Sequence, residues 1–424
     1  MPMWYDFQYK GGEYYVEDVP IKEIAEAVGT PCYVYSNSAL EGDFDVFRDA
    51  FSDINPLICF SVKANSNLAV LRTYANLKIG FDVVSGGELF RVLRAGGDPS
   101  KVVFSGVGKT EEEMKSAIEV GILFFNVESI EELHVLDNVA KAKGKKARIA
   151  IRVNPDIDPK THPYISTGLK KSKFGIEINR AVDAYKEAAR MGGIEIVGID
   201  AHIGSQIFEL EPFVESLKKL IELGGALEKE GIKIQYIDIG GGLGITYREG
   251  EMPPHPREYA DVIKREISGT PYKLVLEPGR VLVGNAGILL TRVLYVKKGA
   301  SKKFVVVDAA MNDLIRPAFY DSYHEIITAN ESLGDEETVD VVGPICESGD
   351  FFAKDRGLPK VERGDLLAIL SAGAYGFVMS SNYNTRPRVP EVMVRGEEFF
   401  VVREREKYED LIRGEVIPDF LKRG

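Results

Sequence analysis

The sequence predicts an α/β fold, a closed (β/α)8 TIM barrel followed by a β-rich domain, and two observations indicate it. From about residue 58 to 277, short apolar runs alternate eight times with longer amphipathic segments. After Arg280 the pattern changes to strand-like runs separated by Gly, Pro and Asp turns. Eight strand–helix alternations over about 220 residues are typical of a closed barrel.

The eight predicted barrel strands share a short length and a richness in Val, Ile and Phe, as expected of parallel strands buried on both faces. They are Ile58–Val62, Phe81–Val84, Val102–Phe104, Leu123–Asn126, Arg148–Val153, Val197–Ala201, Tyr236–Ile239 and Leu274–Glu277.

The segments between the strands carry apolar residues at i, i+3 and i+4, the pattern of helices that cover a sheet. Thr110 is a good N-cap for one of them, and Pro256 suits the first turn of another. The predicted helices are Asn67–Leu77, Glu88–Ala95, Glu111–Val120, Ile130–Lys143, Arg180–Met191, Pro212–Glu230 and Pro256–Ile267.

The predicted domains are a barrel over residues 37–280 and a β-rich domain formed by residues 1–36 and 281–424. Tyr14–Val16 and Cys32–Tyr35 are the strand candidates of the first segment. An open doubly wound sheet is the alternative, but it needs a phosphate fingerprint after its first strand, where this chain has Lys63. The later strand candidates are Val281–Val296, Lys303–Asp308, Thr338–Val342, Asp365–Leu370 and Glu391–Val402.

Composition excludes several classes of protein. The chain has 424 residues and a net charge of −12, which argues against a nucleic-acid partner and against an anionic membrane. No stretch approaches the length of a membrane span, and the N-terminus lacks the features of a signal peptide. The three cysteines form no C-x-x-C pair, which fits a reducing compartment, so we expect a cytoplasmic protein.

Lys63 is the first candidate functional residue, since it ends the first apolar run. An amine in an apolar pocket has a lowered pKa and can form a Schiff base with an aldehyde, the way in which pyridoxal 5'-phosphate (PLP) is tethered. The alternative is an ordinary strand-end lysine that reaches solvent.

Four further candidates fall at the C-terminal ends of predicted strands, the face where barrel enzymes place their chemistry. A flat His202 ring could stack on an aromatic cofactor or could be a core histidine. Glu277 brings a carboxylate into the barrel mouth and needs a cationic or N–H partner, either a protonated pyridine or the adjacent Arg280. The four are Asp82, His202, the glycine run 240–244 and Glu277.

The glycine run predicts a phosphate site, because glycine lets backbone N–H groups approach a phosphate closely. A tight turn is the alternative. Neither this run nor the segment Ser105–Thr110 is a nucleotide motif, since Ile245, Tyr247 and Val103 stand where glycine is required. The five histidines form no close pair, so we expect no metal site.

Three turns in the β-rich segment display polar groups. Cys346–Asp350 carries a thiol and two acids, Ala372–Gly376 carries the phenol of Tyr375, and Arg316–Tyr320 places a guanidinium near a phenol. Each of these turns taken singly is compatible with a purely structural role.

Together these motifs resemble the diaminopimelate decarboxylase family, which belongs to the alanine-racemase-like, fold-type III PLP enzymes that join a barrel to a β-domain. The resemblance runs in order from about Pro31 to Arg388. It is carried by Phe60–Asn65, the His202–Gln206 element, the triple glycine, Glu277–Arg280, Cys346–Asp350 and Ala374–Gly376.

The resemblance implies how PLP would be held. Lys63 would form the internal aldimine, Glu277 would pair with the pyridinium nitrogen and His202 would stack on the ring, while Asp82 and Glu88 match family acids near the site. The groups implied to hold the phosphate are Ser205, Gly241, Gly242, Gly279, Arg280 and Tyr375.

The resemblance also implies the reaction, the decarboxylation of meso-2,6-diaminopimelate to L-lysine through a PLP external aldimine and a quinonoid carbanion. Cys346 would protonate the carbanion and would reach the active site of a second subunit, so a homodimer with shared sites is implied. The substrate-binding residues implied are Arg280, Arg316, Tyr320, Glu347 and Tyr375.

Two other functions stay open at this point. One is a related decarboxylase of ornithine, arginine or carboxynorspermidine. The other is a non-catalytic PLP-binding homologue, against which the presence of both Lys63 and Cys346 argues.

Overall fold

The computed structural model describes residues 6–158, 173–331 and 334–422, which form two compact units. One unit comprises residues 37–286 and 373–378, and the other comprises residues 6–36, 287–372 and 379–422. Within these described ranges no helix is long and apolar enough to cross a membrane.

The first unit is a closed barrel of parallel strands, as the sequence predicts. The last barrel strand closes the sheet on the first, with Val275 opposite Leu57 and Leu276 opposite Ile58. A short strand, Ile176–Glu177, adds to the fifth barrel strand. The barrel strands are Leu57–Ser61, Gly80–Val83, Val102–Phe104, Phe124–Val127, Ala147–Asn154, Ile194–Asp200, Tyr236–Asp238 and Lys273–Leu276.

Helices alternate with the barrel strands and begin where the local caps predict. Thr110 accepts a hydrogen bond from Glu113 N, whose carboxylate accepts one from Thr110 N in return, so the two residues form a capping box. The helices are Asn37–Ala50, Leu68–Asn76, Gly86–Ala95, Glu111–Val120, Ile130–Ala142, Ala181–Ala188, Glu211–Lys229, Pro256–Ile267 and Arg280–Val283.

The second unit is built on the long strand Gly287–Lys298. Cys32–Ser36 pairs antiparallel with it and parallel with Glu391–Arg395, so the N-terminal segment completes the β-domain, as predicted. A separate small sheet near the N-terminus contains Phe7–Lys10, Glu13–Val16 and Val19–Pro20. The remaining elements of this unit are the strands Lys303–Val307, Ile326–Thr328, Glu336–Val342, Phe351–Pro359, Leu366–Ile369 and Glu398–Arg403 and the helices Ile21–Val28, Arg316–Tyr320 and Tyr408–Leu411.

Two segments differ from the predicted division of the chain. Residues 281–286 open with a helical turn instead of a strand, because an apolar run alone does not distinguish a buried helix from a strand. Residues 373–378 belong to the barrel unit, since Gly373 N donates to Gly284 O at 3.1 Å and Tyr375 N donates to Ala64 O at 2.8 Å. These two hydrogen bonds make Tyr375 part of the barrel mouth.

Candidate active site

A polar layer lies above the apolar core of the barrel. Cys59, Val103, Phe124, Ala150 and Val275 pack together as part of this core. Side chains alternate along a strand, so the residues two positions later also face the barrel interior, one step nearer to the C-terminal ends. These later residues are Ser61, Ser105, Asn126, Arg152 and Glu277.

Lys63 lies on a 3-10 turn, Val62–Ala64, directly after the first barrel strand. Its Nζ donates a hydrogen bond to Asp82 Oδ2 at 2.9 Å, and the Asp82 side chain is fully buried. Ser61 Oγ also lies 2.9 Å from Asp82 Oδ2. The amine is therefore paired with a buried carboxylate at the barrel mouth, although the Lys63 side chain is 33% exposed, and this pairing argues against a lysine that merely reaches solvent.

The expected lowering of the Lys63 pKa was wrong for the cofactor-free protein. Burial lowers the pKa of this amine, but the negative charges of Asp82 and Glu277 raise it above its usual range. The amine is therefore an ammonium ion that is paired with a carboxylate. It must lose a proton before it can attack an aldehyde.

Glu277 follows the last barrel strand and is 4% exposed. Burial raises the pKa of Glu277 well above its usual range, and the nearby carboxylates of Asp238, Asp82 and Asp200 raise it further. Carboxylate oxygens of Asp200, Asp238 and Glu277 lie within 4.8 Å of one another. This part of the barrel therefore favours a positively charged or N–H-donating partner.

Arg152 and Glu128 are residues near the site that the sequence analysis missed. Arg152 Nη1 donates to Glu128 Oε1 at 2.8 Å, and Arg152 Nε lies 3.9 Å from Asp200 Oδ2. Asp200, Asp238 and Arg152 could have been found by the rule that identified Asp82, because each lies at the C-terminal end of a predicted strand.

Two glycines of the loop after the seventh strand are packed too closely to carry a side chain. A Cβ added to Gly241 would lie 2.2 Å from Glu277 O, and one added to Gly242 would lie 2.5 Å from Gly204 O. Gly242 also has a φ of +121°, which L side chains rarely adopt. Glycine at these two positions lets the loop pack against neighbouring backbone while it lines the cavity, where its backbone can approach a phosphate.

His202 is oriented by this glycine loop. Gly241 N donates to His202 Nδ1 at 3.3 Å, so Nδ1 carries a lone pair. Burial lowers the pKa of His202 well below its usual range, and the positive charges of Lys63 and Arg152 lower it further. The ring is therefore neutral, so it can pack on a protonated aromatic ring without charge repulsion.

Arg280 contacts two other residues that are predicted to hold the phosphate, Ser205 and Tyr375. Its Nη2 donates to Ser205 Oγ at 3.0 Å, and its Nη1 donates to Tyr247 Oη at 2.6 Å. The guanidinium carbon lies 4.8 Å from the centroid of the Tyr375 ring. Gly279 precedes Arg280, and a Cβ on Gly279 would lie 2.9 Å from Ser61 Cβ. Tyr247, which the sequence analysis missed, fixes this guanidinium.

Most of the predicted cofactor-binding residues line one cavity of the barrel unit. Asp82 lies beneath it in hydrogen-bond contact with Lys63. Predicted residues in the cavity wall are Lys63, His202, Ser205, Gly241, Gly242, Glu277, Gly279, Arg280 and Tyr375.

The predicted substrate-binding and acid residues of the second unit are arranged in two places. Arg316 and Tyr320 share one short helix, and Arg316 is buried. Cys346 is a free, exposed thiol beside Glu347, whose carboxylate accepts a hydrogen bond from Tyr383 Oη at 2.7 Å.

Asp350 holds the turn that carries this thiol. It accepts hydrogen bonds from Met311 N at 2.7 Å and from Ile345 N at 2.6 Å. The turn therefore presents Cys346 and Glu347 outward, as its sequence predicts.

The residues present fit PLP. Asp82 Oδ1 and Asp238 Oδ2 are buried oxygens that lack a hydrogen-bond partner, which fits a layer built to receive a protonated ring nitrogen. The glycine loop fits the phosphate, and Lys63 supplies the amine that an aldehyde requires. The fold and the site therefore define a barrel enzyme of the PLP-dependent class.

Comparison with known proteins agrees with this class and narrows it. Residues 38–284 match the family model "Pyridoxal-dependent decarboxylase, pyridoxal binding domain". The diaminopimelate decarboxylase of Pseudomonas aeruginosa is 53% identical over 409 residues, which is 96% of this chain and 98% of that protein. The corresponding protein of Aquifex aeolicus is 49% identical over 96% of both chains.

Solved structures give the same result. The diaminopimelate decarboxylase of M. jannaschii, in complex with L-lysine, matches with a TM-score of 0.95 and 40% identity over 99% of this chain and all of that one. The Helicobacter pylori enzyme with L-lysine matches with a TM-score of 0.89 and 43% identity over 93% and 98% of the two chains. The chain belongs to the diaminopimelate decarboxylase family of PLP-dependent decarboxylases.

We expect Gly241→Ala to weaken PLP binding more than about tenfold, because the added methyl group would push the loop away from Glu277 O, and tenfold corresponds to about 1.4 kcal/mol. Absorbance titration of the cofactor-free protein measures this affinity. Gly225→Ala is the matched control, since a Cβ there meets nothing within 4 Å. Equal affinity in the two variants would contradict the phosphate role of the loop.

A second prediction concerns the pH dependence of stability. Burial raises the pKa of Glu88 from 4.5 to about 7, although Val84 N–H donation lowers it. As the pH rises, the unfolded chain therefore releases this proton before the folded one does, and stability falls between about pH 4.5 and 7.

Glu88→Gln removes this titration. We expect the difference in melting temperature, variant minus unsubstituted protein, to increase as the pH rises from about 4.5 to 7. Calorimetry on the cofactor-free forms measures this difference. A difference that is constant with pH would show that Glu88 titrates normally.

Proposed function

We propose that this protein decarboxylates meso-2,6-diaminopimelate to L-lysine and CO2 with PLP as its cofactor. The observation that supports it most is Lys63, which Asp82 holds in the barrel mouth of a chain about 50% identical to two diaminopimelate decarboxylases. Two structural neighbours carry L-lysine, which is the product of this reaction.

Bound PLP supplies an electron-withdrawing ring that delocalises the charge left on carbon when CO2 departs. Lys63 would bind the aldehyde carbon, and Glu277 would hold a proton at the ring nitrogen. The neutral imidazole of His202 would pack on the face of the cofactor ring and exclude water from it. The loop at Gly241 and Gly242 would bind the phosphate, with Arg280 adding positive charge.

The second unit would supply the substrate contacts and the proton. Arg316 and Tyr320 would bind the distal carboxylate, with Arg280, while Glu347 would bind the distal amine. The bond between the α-carbon and its carboxylate breaks, and its electron pair stays on the carbon. Cys346 Sγ–H would then give its proton to that carbon, which yields lysine.

The alternatives that the sequence left open gain no support. The lysine/ornithine decarboxylase of Vibrio vulnificus is only 20% identical to this chain, so that likeness shows the fold alone. No observation favours decarboxylation of ornithine, arginine or carboxynorspermidine, or a non-catalytic role.

Assembly and location are further parts of the proposal. The exposed Cys346 turn would complete the site of a second subunit, so the protein would act as a homodimer with shared sites. A cytoplasmic location is supported by the free state of Cys32, Cys59 and Cys346, since a reducing compartment keeps thiols free.

Lys63→Ala tests the proposed cofactor anchor. We expect this variant to lose the visible absorbance of the lysine-bound cofactor and all measurable CO2 release from diaminopimelate. Replacement of the exposed Lys233 by alanine should leave both unchanged. Release of CO2 from ornithine but not from diaminopimelate by the unsubstituted protein would instead support the alternative decarboxylase.

Subunit mixing tests the shared site. Cys346→Ala should keep the absorbance of the bound cofactor but lose most of its turnover. An equal mixture of Lys63→Ala and Cys346→Ala subunits should recover roughly a quarter of the activity, because half of the dimers would contain one intact site of two. No recovery after verified subunit exchange would contradict a site that is shared across subunits.

A further inference from the structure

His324 of the second unit is a buried histidine with two short polar contacts. It lies between the helix Arg316–Tyr320 and the strand Ile326–Thr328, and its side chain is fully buried. Its Nδ1 lies 2.8 Å from Leu370 O, and its Nε2 lies 2.8 Å from Arg316 Nη1.

These contacts determine the protonation of the ring. A carbonyl oxygen only accepts hydrogen bonds, so Nδ1 must carry a hydrogen and donate to Leu370 O. A guanidinium only donates, so Nε2 must present its lone pair to Arg316. The ring that satisfies both partners is the neutral imidazole with its hydrogen on Nδ1.

The backbone around the ring is fixed by neighbouring strands. Leu370 N donates to Glu325 O at 2.8 Å, next to the pairing of Ile326 with Ile369. Arg356 Nη1 donates to His324 O at 3.0 Å. The imidazole is therefore anchored on a sheet, whereas Arg316 lies on a helix of only five residues.

The chemistry of this contact suits a guanidinium that must bind an anion. A carboxylate at the position of Nε2 would orient Arg316 equally well, but it would also neutralise the charge that attracts a second carboxylate. A neutral nitrogen acceptor fixes the guanidinium plane and adds no negative charge beside it. Arg316 Nη2 also lies 3.4 Å from Ser322 Oγ, another neutral group.

We propose that His324 is a positioning residue that orients Arg316 for the distal carboxylate of the substrate. The inference rests on the proposed function, because it takes Arg316 as the group that binds this carboxylate. His324 does not touch the reacting atoms, so its loss should affect substrate affinity more than the chemical step.

Two variants separate the two contacts of the ring. His324→Asn keeps a donor near Leu370 O and removes the acceptor for Arg316. His324→Gln keeps an acceptor at the distance of Nε2. We expect the KM for diaminopimelate to rise about tenfold to a hundredfold in the asparagine variant, the usual loss for a hydrogen bond to a charged group, with kcat within about threefold.

The glutamine variant should recover a KM within about threefold of the original value, since the acceptor is restored. In an Arg316→Ala background, which itself raises the KM, His324→Asn should add little, because residues that act through one another are not additive. A purely structural role would instead give additive effects and no difference between asparagine and glutamine.

The outcomes distinguish the inference from the function on which it rests. If the unsubstituted protein releases no CO2 from diaminopimelate, the proposed function fails. If the unsubstituted protein does release CO2, and His324→Asn leaves the KM unchanged or lowers only kcat, the positioning role of His324 is overturned. Should His324→Asn not fold, the inference stands or falls on whether His324→Gln keeps the KM for diaminopimelate near the original value.

Discussion

The pairing of the Lys63 ammonium group with a layer of buried acidic side chains is the constraint around which the barrel is organised. Lys63 donates to Asp82, while carboxylate oxygens of Asp200, Asp238 and Glu277 lie within 4.8 Å of one another. Carboxylates so close in a dry interior destabilise one another, and a cation is the partner that relieves the repulsion. A protonated cofactor ring would supply such a partner, so the cofactor site is built into the strand ends themselves.

The second unit follows a different rule, because its functional candidates lie on turns and on a short helix. Asp350 uses both carboxylate oxygens to hold the turn that exposes Cys346 and Glu347. His324 holds Arg316 through a neutral contact. Asp350 and His324 are both buried, and neither takes part in the proposed chemistry. Each of them orients a residue that is proposed to act on the substrate, as functional sites generally require.

Much of the fold could be predicted from the sequence, because periodicity and capping residues act locally. The helix Glu111–Val120 was predicted to the residue, since Thr110 and Glu113 cap one end and Gly121 ends the other in the left-handed conformation. The strand predicted from Val281 was wrong at its start, because an apolar run does not specify whether it is a strand or a helical turn. The grouping of Tyr375 with the barrel depends on a tertiary hydrogen bond to Ala64 that no local pattern encodes.

The site was predictable where one residue type stands out against an apolar run, as Lys63 and Glu277 do. A property that depends on several neighbouring groups at once, such as a pKa, was not predictable. The pKa of Lys63 was expected to be lowered by burial alone, but the summed field of neighbouring carboxylates reverses the shift. Arg152 and Asp238 are different, because both lie at the C-terminal ends of predicted strands and the rule that identified Asp82 could have found them.

The most direct test of the account is to locate the covalent attachment of the cofactor. Borohydride reduction of the PLP-bound protein followed by peptide mass spectrometry identifies the lysine that carries the reduced adduct. The account predicts that the adduct lies on the peptide containing Lys63. An adduct on a different lysine, or none at all in a protein that still releases CO2 from diaminopimelate, would contradict it.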